Sequence, residues 1–252
     1  MSVSVIIPCF NSETTIERAV NSVFNQTLKP SEVICVDDGS SDSTLSILRK
    51  LKEVSPLEIS FLIILQENSG PSRARNNAVL RSSCEYIAFL DSDDVWHPQK
   101  LEVMFQFILK YDLDFLYHLY SPLPYDEKIC LKNILLKKKK RYSFALKNFI
   151  ATPTVFVKKN KFPGFPEHLS YCEDYCCWLM STQRNFYFID KPLANGFKKP
   201  IGDSGLSSNI YKMHKGFIDA LLYLKEKKKI SLVFFCLAYI FEYLKFPLRY
   251  FR

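Results

Sequence analysis

Glycine is scarce, at seven of 252 residues. None of the seven falls in G-x-G-x-x-G or G-x-x-x-x-G-K-[ST]. The chain therefore lacks the backbone cradles with which dinucleotide oxidoreductases and P-loop NTPases hold phosphate. It also lacks the glycine-rich opening of enzymes that make sugar nucleotides. An anion bound here has to be held by metal and arginine instead. Zinc-finger spacing and aromatic-basic RNA motifs are missing too, which argues against nucleic acid as a partner. Cys172, Cys176 and Cys177 lie near His168, but their spacing matches no standard zinc site. No basic leader precedes the strand-like opening at Val3. The eight cysteines sit mostly in apolar runs, as at Cys9, Cys35 and Cys236, so a reducing cytoplasm without disulfides is expected. The apolar run Ile230 to Phe241 is about a dozen residues, short of the about 20 that span a bilayer.

What the chain does have is a set of short apolar runs, each ending in a polar cluster. Tyr86 to Leu90 stops at Asp91-Ser92-Asp93-Asp94, three carboxylates in four positions. If that segment stays extended, Asp91 and Asp93 point the same way and converge on one point. Two carboxylates so placed repel unless a cation lies between them, and a hard divalent ion that also holds phosphate oxygens meets the requirement. The competing reading is an acidic turn that caps the next helix. Val3 to Ile7 runs into Pro8-Cys9-Phe10-Asn11-Ser12, with Ser12 the expected N-cap of a helix carrying Ile16, Ala19, Val20, Val23 and Phe24. Glu32 to Val36 runs into Asp37 to Asp42, and a helix with Leu45, Leu48 and Leu51 follows. Ile59 to Leu65 leads to Asn68-Ser69-Gly70-Pro71 and a helix bearing Arg75. His97-Pro98 opens a further helix with Leu101, Met104, Phe105 and Ile108. Strands alternating with helices at this period predict βαβ units and a mainly parallel sheet, with the polar clusters along one edge.

These motifs resemble glycosyltransferase family 2. Ser4 to Asn11, Val36-Asp37-Asp38-Gly39-Ser40-Ser41-Asp42, Ala74-Arg75-Asn76 and Phe89 to Asp94 occur in that family's order and spacing, and Cys172-Glu173-Asp174-Tyr175 is similar to its Glu-Asp motif before a helix. The resemblance implies a GT-A fold, a Rossmann-like α/β sheet flanked by helices, and inverting transfer. It implies that Pro8, Phe10 and Asn11 lie along the nucleoside, Phe10 being otherwise a core side chain. Asp38 would accept a hydrogen bond from the base, which makes a UDP-sugar the default donor. Asp37 is either that contact or a cap of its turn. Arg75 approaches the diphosphate. Asp91-Ser92-Asp93 matches the D-x-D signature for Mn²⁺ or Mg²⁺, with Asp93 the direct ligand. Asp174 is the expected catalytic base and Glu173 its runner-up or orienting partner.

Beyond residue 111 the pattern is weaker. Strands are expected near Asp114 to Leu119 and Thr154 to Val157, Leu131 to Arg141 reads as an amphipathic basic stretch, and Trp178, Leu179 and Met180 as the core side of a helix. Lys198 and Lys199 lie in a stretch with the look of a loop over the diphosphate, and His214 is a late candidate for phosphate or metal. The net charge of +8 is concentrated in Lys137 to Arg141 and Lys225 to Lys229. Aromatic and apolar residues between basic flanks at the C-terminus suit a segment lying in a membrane interface, or one packed back on the domain or on a second subunit. The expected organisation is a catalytic domain over 1–215, with a nucleotide-sugar half to 110 and an acceptor half beyond it, and a basic amphipathic helical extension over 216–252. The expected role is transfer of a hexose or N-acetylhexosamine to a saccharide acceptor, free or carried on lipid, in lipopolysaccharide, O-antigen or capsule synthesis at the inner face of the cytoplasmic membrane. The alternative is a non-catalytic, membrane-docked nucleotide-binding scaffold.

Overall fold

The computed structural model describes residues 2–122, 134–182, 185–197 and 209–251. Its first half alternates strand and helix: β1 (Val3–Cys9), α1 (Ile16–Phe24), β2 (Glu32–Asp37), α2 (Thr44–Glu53), β3 (Ser60–Leu65), α3 (Pro71–Arg81) and β4 (Tyr86–Phe89). These four strands are parallel, in the order β3-β2-β1-β4. After β3 the chain crosses over β1 to reach β4, so the winding direction reverses between β1 and β4. Helices and loops at such a switch point diverge and leave a crevice at the carboxyl ends of the strands.

Every residue of β1 is buried. Val5 and Ile7 face one apolar layer with α1 and α2, while Ile6 faces another with α3. That two-sided burial explains why the central strands read as unbroken apolar runs. Pro8 lies beyond the last β1–β4 pair, Ile6 with Phe89, so its missing N–H removes no bond from that ladder.

The second half closes the sheet with mixed pairing. β5 (Val95–Trp96), α4 (Lys100–Tyr111), β6 (Phe115–Ser121), β7 (Leu136–Lys139), β8 (Phe156–Lys158), α5 (Glu173–Ser181) and β9 (Phe186–Asn195) follow. β8 is antiparallel to both β4 and β6, and β9 is antiparallel to β5 and β7. Two C-terminal helices, α6 (Ile210–Glu226) and α7 (Leu232–Lys245), complete the described chain. The expected boundary at 215/216 falls inside α6. No helix among the described residues is long and apolar enough to cross a membrane.

Several local expectations are corrected. Ser12 is not the cap of α1: Thr15 occupies that position without a side-chain bond, and the Ser12 hydroxyl instead meets Ser92 Oγ at 2.8 Å. Pro98 precedes α4 by two residues, because His97 and Gln99 form a turn in which the Gln99 N–H donates to His97 Nδ1. Residues 152–154 form a 3-10 turn, and the strand expected from Thr154 starts at Phe156. The stretch 136–139 is a strand on β9, its lysines suiting an exposed sheet edge. His214 is buried, with Nδ1 3.1 Å from Glu242 and its ring stacked on Phe246, and so is a packing group between α6 and α7.

Trp178 is the largest fully buried side chain among the described residues and joins the two halves, its ring 6.1 Å from Phe89 of β4 and 5.4 Å from Phe165. It lies one turn beyond Asp174 on α5 and so sets that helix against the sheet. Trp178→Ala is expected to cost about 3–5 kcal/mol of stability, read as a lower urea midpoint with an unchanged m-value.

Candidate active site

A cleft of about 1040 Å³ opens at the switch point. Pro8, Phe10 and Asn11 enter it from the end of β1. Phe10 is half exposed, which excludes its reading as a core side chain and leaves a free ring face at the cleft. Asn11 adopts a left-handed backbone, φ 46°, and ties two loops together: its N–H donates to Ser40 Oγ at 3.0 Å and its Oδ1 accepts from the Ser41 N–H at 2.9 Å.

The two carboxylates that end β2 divide their work. Asp37 Oδ1 accepts from the Ser40 N–H at 3.1 Å and does not line the cleft, so it caps the turn. The turn needs Gly39, whose φ is 74° and whose added Cβ would lie 2.9 Å from the Asn68 nitrogen. Asp38 does line the cleft. Its Oδ1 accepts from Gln66 Nε2 at 2.7 Å and from the Ser69 N–H at 2.8 Å, and its Oδ2 from the Gly70 N–H at 2.8 Å. A carboxylate has about four acceptor positions, so Asp38 can organise the entry to α3 and still accept one further donor.

Residues 91–94 form a turn and not the extended segment expected: the Asp94 N–H donates to the Asp91 carbonyl at 3.1 Å, and the chain passes into β5. Strand alternation therefore does not aim Asp91 and Asp93, yet the turn brings both to the cleft wall with Ser92. The Arg18 guanidinium donates to the Asp93 carbonyl at 3.1 Å and lies 3.6 Å over the Phe197 ring. Among the described residues no group of three His, Cys, Asp or Glu is placed to hold an ion. Two carboxylates fit Mg²⁺ or Mn²⁺ when substrate phosphates and water complete the shell, which is how such ions are bound beside nucleotides.

Arg75, from α3, is buried, and Nη2 meets Asp91 Oδ1 at 2.7 Å. Burial works against its charge, but Asp91, Glu173 and Asp174 outweigh that and raise its pKa. Its Nε is buried without a partner among the described residues. Across the cleft, α5 begins at Glu173 after Cys172, which takes a left-handed φ of 58°. Asp174 Oδ2 accepts from Asn148 Nδ2 at 2.9 Å, and Oδ1 from the Tyr175 N–H at 2.6 Å. Burial, followed by the charge of Glu173, pushes the Asp174 carboxyl up to about 7 against those bonds and Arg75. A carboxyl so placed takes up a proton near neutral pH far better than an ordinary aspartate.

The cleft thus unites Pro8, Phe10, Asn11, Asp38, Arg75, Asp91, Ser92, Asp93, Glu173 and Asp174, drawn from both halves of the chain. Lys198 and Lys199 lie outside the described residues. Three contributors carry no local sequence signal. Tyr120, at the end of β6, donates to Asp94 Oδ1 at 2.8 Å; Asn148 bonds Asp174; Pro153 lines the wall while its carbonyl accepts from Trp96 Nε1 and Lys100 Nζ, each at 3.1 Å. Lys100 is fully buried, and that burial holds its pKa well below the usual lysine value.

Comparison with known proteins identifies the family and the fold. The sequence pattern of the family described as "Glycosyl transferase family 2" matches residues 4–157. The putative teichuronic acid biosynthesis glycosyltransferase TuaG of Bacillus subtilis is 33% identical over 217 residues, covering 84% of each chain. The Escherichia coli protein WfgD, a UDP-Glc:α-D-GlcNAc-diphosphoundecaprenol β-1,3-glucosyltransferase, is 32% identical over 242 residues, 94% of this chain and 92% of that one. S. aureus TarS 1–349 in complex with UDP-GlcNAc superposes with a TM-score of 0.68 at 22% identity, over 89% of this chain and 65% of that one. The mannosyltransferase PcManGT from Pyrobaculum calidifontis, in complex with GDP-Man and Mn²⁺, superposes with a TM-score of 0.70 at 17% identity, over 96% and 69%. These last two likenesses carry the fold. With its motif order, its switch-point cleft and relatives matched along nearly their whole length, the chain belongs to glycosyltransferase family 2 and has the GT-A fold.

Proposed function

We propose that this glycosyltransferase moves a hexose or N-acetylhexosamine from a UDP-sugar to a lipid-linked saccharide, with inversion, in the synthesis of a cell-surface glycan. The observation that carries the reading is Arg75. One buried guanidinium faces both the Asp91 carboxylate and the Glu173-Asp174 pair, so a donor diphosphate and an acceptor hydroxyl meet across a single cationic group. Phe10 offers its exposed face to the base, and the remaining acceptor position of Asp38 receives a base N–H. Asp91 and Asp93 would hold Mn²⁺ or Mg²⁺, which when bound would supply charge neutralisation for the nucleoside diphosphate leaving group. Asp174 takes the proton from the acceptor hydroxyl as that oxygen attacks the anomeric carbon on the face opposite the leaving group. Glu173 and Asn148 orient it. Support for a UDP-sugar comes from the nucleotide in the TarS complex and from the printed activity of WfgD, and support for a lipid carrier from WfgD's diphosphoundecaprenol acceptor. The Mn²⁺ in PcManGT supports the divalent ion.

The C-terminal helix fits a peripheral position on the inner face of the cytoplasmic membrane. Phe234, Ala238 and Glu242 form the buried stripe of α7, whereas Leu237, Ile240 and Leu244 are more than half exposed. Lys227 to Lys229 stand exposed at one end of that apolar face, as suits an interfacial helix on anionic lipid.

Asp174→Asn should lower kcat by about 10²–10⁴-fold, and near-normal turnover would remove Asp174 as the base. In the parent enzyme kcat/KM should rise with pH up to about 7 and then level. Asn148→Ala, which withdraws a bond to the charged form, should move that limb to higher pH. The native state holds the Asp174 proton more tightly than the unfolded chain, so ionisation destabilises the fold as pH rises from about 4 to about 7. Asp174→Asn should therefore melt higher at pH 8. Asp93→Ala should abolish the gain in UDP affinity that Mn²⁺ gives over EDTA in titration calorimetry; an unchanged gain takes Asp93 out of the metal site. Leu237→Glu with Leu244→Glu should release the protein from phosphatidylglycerol vesicles in sedimentation, and retention would assign the exposed face another role.

A further inference from the structure

A second depression, of about 250 Å³, opens beside the cleft on the side of the base. Ser170 and Tyr171 line both spaces, and they immediately precede the Cys172 to Asp174 segment. None of the residues on the donor side of the cleft, from Pro8 to Asp94, reaches the depression. Its far wall is one face of α6, with Lys212, Lys215 and Asp219, and His168 stands opposite. α6 comes this close because residue 216 is glycine: an added Cβ would lie 2.3 Å from Tyr171 Cβ. Tyr171 is thus a shared floor, with α6 pressed against it.

The charges in this depression are unbalanced. Neither Lys212 nor Lys215 has an ion-pair partner within 4 Å among the described residues, Asp219 included. Two lysines one helical turn apart, with a histidine facing them, are point-charge donors suited to a phosphate or diphosphate. The donor diphosphate already has Arg75 and the Asp91–Asp93 turn. An anion in the depression would belong to a molecule whose hydroxyl end sits by Asp174.

We propose that this depression is the subsite for the phosphate or diphosphate that joins the acceptor sugar to its carrier, held by Lys212 and Lys215, with the sugar lying over Tyr171 toward Asp174. The assignment rests on the reading of the cleft as a glycosyltransferase site with an anionic acceptor. Asp219 limits the affinity by facing the same anion, and its removal should act in the opposite direction from removal of the lysines. Both changes are on an exposed helix face, so the fold should tolerate them.

The test is binding of decyl diphosphate, below its micelle concentration, to the full chain with the donor cleft saturated by UDP and Mn²⁺. The wild type should bind the probe with UDP present. K212A/K215A should weaken it about tenfold or more, the usual consequence of removing charged hydrogen-bond donors, and Asp219→Asn should tighten it, with UDP affinity unchanged in both. Probe affinity unaffected by the lysine pair, or probe binding that UDP abolishes, would overturn the assignment. Inorganic pyrophosphate binding as tightly as the decyl ester would also overturn it, by showing a site for free phosphate and not for a carried one. A wild type that binds the probe through the lysines but never binds UDP would instead break the donor reading while leaving the subsite standing.

Discussion

A guanidinium taken out of water stays in a fold only where carboxylates and hydrogen bonds replace its hydration. Arg75 meets that requirement with three carboxylates from two other elements: Asp91 after β4, and Glu173 and Asp174 at the start of α5. The dependence runs both ways. Without Arg75, Asp174 and Glu173 would face each other across a poorly solvated wall, and Asp91 would lose its 2.7 Å partner. The same charge balance that lets the two halves of the chain close on each other also sets the polarity of the cleft. Structure and chemistry here rest on one cluster of ions.

The parallel sheet supplies the place for that cluster. Because the winding reverses between β1 and β4, their ends diverge, and the loops after them have room for a nucleotide-sized ligand. The loops are then tied to one another and not left to move singly. Asp38 gathers Gln66, Ser69 and Gly70; Asn11 bridges to Ser40 and Ser41; Ser12 meets Ser92. Short polar side chains thus do at the sheet edge what apolar packing does beneath it. They fix the geometry of a surface that must remain open to solvent.

The half beyond residue 111 contributes by packing. Trp178 seats α5 through contacts with Phe89, Phe115 and Phe165, which come from three other segments, and so presents Asp174 at the cleft. Glu242 does similar work further on. It is fully buried, yet His214, Lys245 and Arg249 all reach it at 2.8–3.1 Å, and the four groups join α6, α7 and the last turn. The C-terminal helices are therefore part of the folded domain on one face, and apolar and uncovered on the other.

The sequence by itself determined the four parallel strands, the helices between them and the family, because each signal is local. A doubly buried strand must be continuously apolar, and the polar cluster that ends each one is contiguous in the sequence. It also determined which residues to name: Asp38, Arg75, Asp91, Asp93, Glu173 and Asp174 all reach the cleft wall. Only the tertiary structure decided how they work. It made Asp37 a turn cap and Asp38 the cleft carboxylate. It replaced strand alternation with a turn at residues 91–94, took His214 into the core, and brought in Tyr120, Asn148 and Pro153. None of those three stands near its partner in sequence: Asn148 is 26 residues from Asp174 and Lys100 is 53 from Pro153. The environment that raises Asp174 likewise belongs to no segment, since desolvation and the field of neighbouring charges exist only once distant parts of the chain have been packed together.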